Sequence, residues 1–382
     1  MQKNDQPAGA GAPSLPSACD LNAPDAASAG PGGARAWMDH NLRMNDLTTV
    51  GTHNSYKQQI SEPIMALIKR AAPDRWHHLD YWHRTLTEQL DDGARNLELD
   101  VVCDPEGGRF AHPAGMATTG QEVSPEYVAA MSKPGFKVMH IQDLDFRSSC
   151  LTFVGGLAEI RDWSSAHPDH VPILITMNTN DGRSRTRGGV DALPFDTAAY
   201  DALDAEIRGV FPPAQLITPD DVRGDYASLR EAVLERGWPT LGEARGKVFF
   251  ALDEHGAHRE AYRGGRRTLE GRVYFVDTAG EDGPDSAYLT LNELADAPRI
   301  TAAVKAGFIV RTRADADTNE ARSNDTTRRD TLLVSGAQYV STDYRWPDTR
   351  LSDYVVRLPG GAIAVANPQR APERCAGLPI EG

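Results

Sequence analysis

No run in the 382-residue chain approaches the roughly 18 consecutive apolar residues that a membrane-crossing helix needs, which excludes a helical span. Cysteine is scarce: there are 4, none in a CxxC pair, so neither a zinc ribbon nor a dithiol redox centre is indicated. Positive charge is in deficit, with 40 Lys and Arg against 54 Asp and Glu, and a net charge of −14 works against a nucleic-acid partner and against broad attachment to anionic surfaces. There is no internal repeat of about 20–50 residues that would signal a solenoid or propeller. What is present is ordinary for a globular chain, 40% hydrophobic and 25% charged residues. At about 150 residues per domain the length suggests two or three domains, but a single β/α barrel with insertions also reaches it.

Residues 1–40 are an Ala/Gly/Pro-rich tail without the 7–15-residue apolar core of a signal peptide. Cys19, Cys103, Cys150 and Cys375 allow three pairings; two lie near the termini and two inside the chain, so Cys19–Cys375 with Cys103–Cys150 is the expected set. Disulfides imply an oxidising compartment, and the protein is expected to be extracellular, its export signal no longer attached.

Eight short apolar, β-rich runs end in polar residues: 46–52, 95–102, 137–142, 171–178, 247–253, 272–277, 307–312 and 338–343. Helical segments alternate with them, among them 198–210, 228–236 and 289–305. Eight strands of one kind predict an α/β fold, a (β/α)8 TIM-type barrel over 41–360, irregular in places, with a tail at 361–382. The gap of about 70 residues between the fourth and fifth runs exceeds one helix and predicts inserted helices rather than a separate domain.

In such a barrel the chemistry sits at the C-terminal ends of the strands. The first run ends in GTHNSY, which places His53 and Asn54 there. The second contains Glu98 and Asp100, two apart and therefore on one strand face, where two carboxylates repel unless a cation lies between them. FAHP puts His112 in the following loop. Singly, each of these residues is commonly structural; their coincidence at strand ends is what points to a site. Arg311 and Arg313 end the seventh run and are placed to grip an anionic group such as a phosphate, and Asp343 ends the eighth, where it can orient substrate or a histidine. Asp315, Asp317 and Asn319 begin like a calcium loop, but the sixth position is Glu320 and the twelfth Thr326, so no EF-hand forms. The aromatic stretch from Trp76 to His83 is expected to pack beneath its loop.

GTHNSYK (51–57), LTEQLDDGARNLELDVVCDP (86–105), FAHP (110–113), HIQDLDFRSSC (140–150), VPILITMN (171–178), GKVFFALDE (246–254), RTRADADTNEARSNDTTRRD (311–330) and SGAQYVSTDY (335–344) together resemble the calcium-dependent bacterial phosphatidylinositol-specific phospholipases C of the Streptomyces type. The resemblance implies cleavage of phosphatidylinositol, or a related phosphodiester, to diacylglycerol and a cyclic inositol phosphate. It makes His53 and His112 the catalytic pair and Asn54, Glu98 and Asp100 ligands of Ca2+. In eukaryotic relatives the fourth strand ends in a further Glu ligand; Asn178 stands there, one negative charge fewer. A monomer with transient membrane-surface contact is expected. Two other readings remain at this stage, a glycerophosphodiester phosphodiesterase, whose site opens with His-Arg rather than His53-Asn54, and a weakly catalytic barrel that binds inositol or phospholipid headgroups.

Overall fold

The computed structural model describes residues 33–381, apart from 279 and 374. Its strands are β1 (Leu47–Thr52), β2 (Asn96–Val102), β3 (Lys137–Val138), β4 (Ile173–Thr179), β5 (Val248–Leu252), β6 (Tyr274–Val276), β7 (Tyr288–Thr290), β8 (Ile309–Arg313), β9 (Tyr339–Thr342), β10 (Ala364–Ala366) and β11 (Pro379–Glu381). Every residue of β1, β2 and β5 is buried, the continuous burial of parallel strands covered on both faces.

The strands form two sheets, in the orders β11-β10-β1-β9-β8-β7 and β3-β2-β4-β5-β6. Within them β7, β8, β9 and β1 are parallel, as are β2, β4, β5 and β6. At one seam Arg95 N donates to Val50 O at 3.3 Å; at the other a single parallel bridge joins Asp277 to Tyr288. The fold is therefore mixed α/β with parallel sheets whose edges abut, and the hydrogen-bond ladder of a closed barrel is not made at the seams.

Gly51 explains one seam. A Cβ there would lie 1.9 Å from Asn96 O, so the close approach of β1 to β2 requires glycine. Gly51→Ala is expected to cost at least ~1–3 kcal/mol, the usual range for overpacking. Denaturant unfolding checks this; a midpoint equal to that of the wild type would contradict the close approach.

Several expectations need correction. The third run pairs only at Lys137–Val138, and antiparallel to β2. The parallel strand that replaces it, β7, lies at the start of the segment expected to be helical over 289–305; the helix there is Ala297–Ala306, begun by Pro298 in its first turn. Residues 361–382, expected as a tail, carry β10 and β11, antiparallel additions to β1. The expected helices between β4 and β5 are present, including Thr197–Val210, capped by Asp196, and Leu229–Glu235, capped by Ser228.

Cys103 and Cys150 are buried free thiols, not a disulfide. Their surroundings differ: Cys103 lies among Asp104, Asp196 and Glu206, whereas Cys150 Sγ packs beside Gly156, where Leu86 also reaches. Burial pushes the Cys150 thiol up to about 12 and raises Cys103, so neither is a ready thiolate. The Cys19–Cys375 pairing involves Cys19, outside the described residues. Among the described residues no helix is long and apolar enough to cross a membrane.

Candidate active site

The C-terminal ends of the parallel strands converge on one group of polar side chains. After β1 the chain turns at Asn54, whose φ of +47° is a conformation that Asn tolerates better than most residues. The turn buries Asn54, whose Nδ2 donates to Tyr81 Oη at 2.7 Å and whose Oδ1 accepts from Tyr56 at 3.4 Å. His53 projects beside it. Its Nδ1 lies 2.8 Å from Asp343 Oδ1, and its carbonyl is 2.8 Å from His83 Nε2. Burial holds His83 near 4, so it is neutral and donates that bond. The Asp343 contact assigns the His53 proton to Nδ1 and leaves Nε2, 3.6 Å from Glu98 Oε1, as the basic nitrogen. Burial, then the positive charge of Arg313, holds His53 well below the usual histidine range, against the pull of Glu98.

Asp343 is itself fixed. Its backbone N–H donates to Asp315 Oδ1 at 2.8 Å, and Arg313 Nη2 lies 3.4 Å from its Oδ2. Glu98 Oε2 is bound by Arg311, and Oε1 accepts from Asn178 Nδ2 at 3.3 Å. Arg311 also reaches Asn292 at 3.2 Å and Asp253 at 3.7 Å. Asp100 stands level with Asn178 across β2 and β4. Its Oδ1 is buried without a hydrogen-bond partner among the described residues, and burial with the charge of Glu98 pushes the carboxyl up to about 7.

A second histidine completes the group. His140 Nδ1 is 2.8 Å from Asp145 Oδ2, which lies 3.3 Å from the wholly buried Lys57. Lys57 also donates to the carbonyls of Leu79 and Tyr81 at 3.0 and 2.8 Å. Burial alone would depress His140, but the hydrogen bond and charge of Asp145, with Asp100, raise it above the usual value. Its charge weighs on both His53 and Asp100.

The structure thus brings together His53, Asn54, Glu98, Asp100, Asn178, Arg311, Arg313 and Asp343. It leaves His112 exposed, without a hydrogen bond or ion pair among the described residues. His140 was not singled out in the sequence, and neither were Asp145 and Lys57; Asp315 was read only as the start of a failed calcium loop, and Tyr81 and His83 only as part of an aromatic stretch. The available signals were the lysine closing GTHNSYK and the histidine opening HIQDLDF. A further group not anticipated is Asp253, His255 and Asp277, whose donor atoms lie within 4.8 Å of one another at the ends of β5 and β6. Trp76, expected to pack beneath its loop, lies against Lys69 and Arg322, while Trp82 lies half exposed against Arg350.

A family model described as phosphoinositide phospholipase C, Ca2+-dependent, matches residues 42–368. The chain belongs to this family. It is an enzyme of the phosphodiester-cleaving phosphatidylinositol-specific phospholipase C class, and the family's cofactor is calcium. Among solved structures it is similar to a calcium-dependent phosphoinositol-specific phospholipase C from Pseudomonas sp. in apo form, with 18% identity, 86% of this chain and 96% of that chain covered, and a TM-score of 0.52. A myoinositol complex of the Pseudomonas enzyme gives 18% identity, 85% and 96% coverage and the same TM-score of 0.52. The Ca2+-dependent enzyme of Streptomyces antibioticus gives 19% identity, 82% and 98% coverage and a TM-score of 0.50. No curated protein matches the chain.

The donor chemistry suits the family's ion. Asn54, Glu98, Asp100 and Asn178 offer only oxygen ligands, as hard cations require, and Asp100 Oδ1 is a buried carboxylate oxygen with no other partner. Asn178 donates through Nδ2, which leaves its Oδ1 for a ligand. The Asp253, His255 and Asp277 group includes an imidazole, a poorer match to calcium.

Proposed function

We propose that this phospholipase C cleaves phosphatidylinositol between glycerol and phosphate, with the inositol 2-hydroxyl as internal nucleophile, to give diacylglycerol and a cyclic inositol phosphate. The observation that carries the reading is a pair of histidines each held by its own carboxylate, His53 Nδ1 2.8 Å from Asp343 and His140 Nδ1 2.8 Å from Asp145, around one carboxylate floor. His53 Nε2 accepts the hydroxyl proton while Asp343 holds its Nδ1–H. His140, held by Asp145, gives a proton to the leaving alkoxide. Arg313, beside Asp343 and a fifth exposed, meets a phosphate oxygen. Arg311, buried against Glu98, sets the charge of the floor rather than gripping substrate. Asn54, Glu98, Asp100 and Asn178 would hold calcium, which when bound would supply stabilisation of the charge developing on the phosphate. His112 has no part in the proton transfers.

The two abutting sheets act as one barrel-like (β/α)8 domain that includes residues 41–360 and is extended by β10 and β11. The protein works outside the cell as a monomer and touches the membrane surface only to reach its substrate.

The protonation biases fix the pH dependence. The base form of His53 persists until pH falls through its lowered value, and the acid form of His140 persists until pH rises through its raised one. The profile of kcat/KM on phosphatidylinositol should therefore be a broad bell, its acidic limb below and its basic limb above the usual histidine range. A glycerophosphodiester phosphodiesterase would instead turn over glycerophosphoinositol; preference for that compound, or a narrow bell centred on one histidine value, would overturn the reading.

A further inference from the structure

The segment after β4 departs in charge from the rest of the molecule. In a chain of net charge −14, residues 183–187 read Arg-Ser-Arg-Thr-Arg. Arg183, Arg185 and Arg187 are exposed, and among the described residues none forms a hydrogen bond or ion pair. The acidic groups around them are engaged elsewhere. Asp181 faces His258 at 3.5 Å, Asp191 accepts from Ser184 N at 2.9 Å, and Asp143 accepts from Ser184 Oγ at 2.5 Å and Val190 N at 3.1 Å.

The backbone beneath these arginines is held to the active site. Asn180 Nδ2 donates to the carbonyl of His140 at 3.2 Å, and Gln142 Nε2 donates to that of Gly182 at 2.7 Å. Ser184 turns inward to Asp143, while Arg183, Arg185 and Arg187 are exposed to solvent. Each arginine thus extends a charge that no group among the described residues neutralises, on a segment whose backbone is bonded to that of His140.

We propose that Arg183, Arg185 and Arg187 form an electrostatic docking surface for an anionic phospholipid bilayer, one that presses the strand-end face against the headgroups. The inference rests on the phospholipase reading of the site. The negative charge of the whole chain opposes approach at long range, but screening confines each charge to about 8 Å at physiological ionic strength, so at contact the local cluster decides. Basic side chains at a negatively charged leaflet each strengthen binding by about fivefold, so three account for about a hundredfold.

The test sediments the full chain at about 0.15 M salt, where screening reaches only about 8 Å, with vesicles of phosphatidylcholine, alone or mixed with phosphatidylglycerol, neither of which carries inositol. The wild type should bind the mixed vesicles far better, and raised salt should abolish the difference. The triple variant Arg183→Gln, Arg185→Gln, Arg187→Gln should lose about a hundredfold of that binding. Its turnover of dispersed short-chain phosphatidylinositol, below the concentration at which it aggregates, should be unchanged, which also reports an intact fold. Equal binding by variant and wild type overturns the proposal. So does an equal loss of turnover on dispersed substrate and on vesicles, which would assign the arginines to the headgroup itself. A wild type that binds anionic vesicles through these arginines but never cleaves phosphatidylinositol would leave the surface standing and remove the enzymatic reading.

Discussion

Replacing His140 with alanine is expected to lower phosphatidylinositol turnover by about 10²–10⁴, the usual contribution of a positioned acid or base, and His53→Ala should do the same. His112→Ala should leave the rate close to that of the wild type. The asymmetry follows from placement. His53 is locked between Asp343 and the carboxylate floor, and His140 is locked by Asp145, whereas His112 is exposed and has no hydrogen bond among the described residues. Because both active histidines are partly buried, unfolding must be measured alongside; an unchanged denaturation midpoint with the expected loss of rate separates chemistry from folding. The double variant should be little slower than either single one, since the two imidazoles serve one proton-transfer sequence. A His140→Ala enzyme with near-full activity would return the acid role to another group.

The second large effect concerns the carboxylate floor. Asp100→Asn is expected to raise the calcium concentration for half-maximal activity by more than about 10–100-fold, the range that loss of an outer-shell partner alone costs. The same substitution should do little harm to stability, because it removes a carboxylate that burial and Glu98 already push up to about 7. Asn178→Asp should act in the opposite direction, adding a third carboxylate beside Glu98 and lowering the calcium requirement. Calcium titrations of initial rate check both. An Asp100→Asn enzyme with an unchanged calcium requirement would move the ion elsewhere, with Asp253 and Asp277 the next oxygen donors along the same strand ends.

Much of the site is legible because strand geometry is local. Glu98 and Asp100 share a face by the two-residue period, and His53, Arg313 and Asp343 each close an apolar run. What sequence spacing does not contain is the pairing between distant ends. Asp343 touches His53 across 290 positions, and Arg311 meets Glu98 across 213. His140 is hidden for a different reason. The run at 137–142 reads as a strand, but the ladder stops at Val138 and the chain turns through Asp143 at φ +73°, so His140 lies in a loop whose direction alternation does not predict. β7 is missed because three residues carry too little pattern beside the stronger helical signal that follows. The Cys103–Cys150 pairing fails because position along the chain does not bring two thiols together: Cys103 lies among Asp104, Asp196 and Glu206, and Cys150 beside Gly156.

We propose that this strand-end cluster makes a cyclic inositol phosphate with calcium in place. Phosphorus NMR of phosphatidylinositol incubated with the full chain tests it most directly, first with calcium and then after excess chelator. A cyclic phosphate signal should grow as diacylglycerol is released, and both should stop on chelation. Continued release at the same rate under chelator, or consumption of substrate with only an acyclic phosphate ester as product, would contradict it.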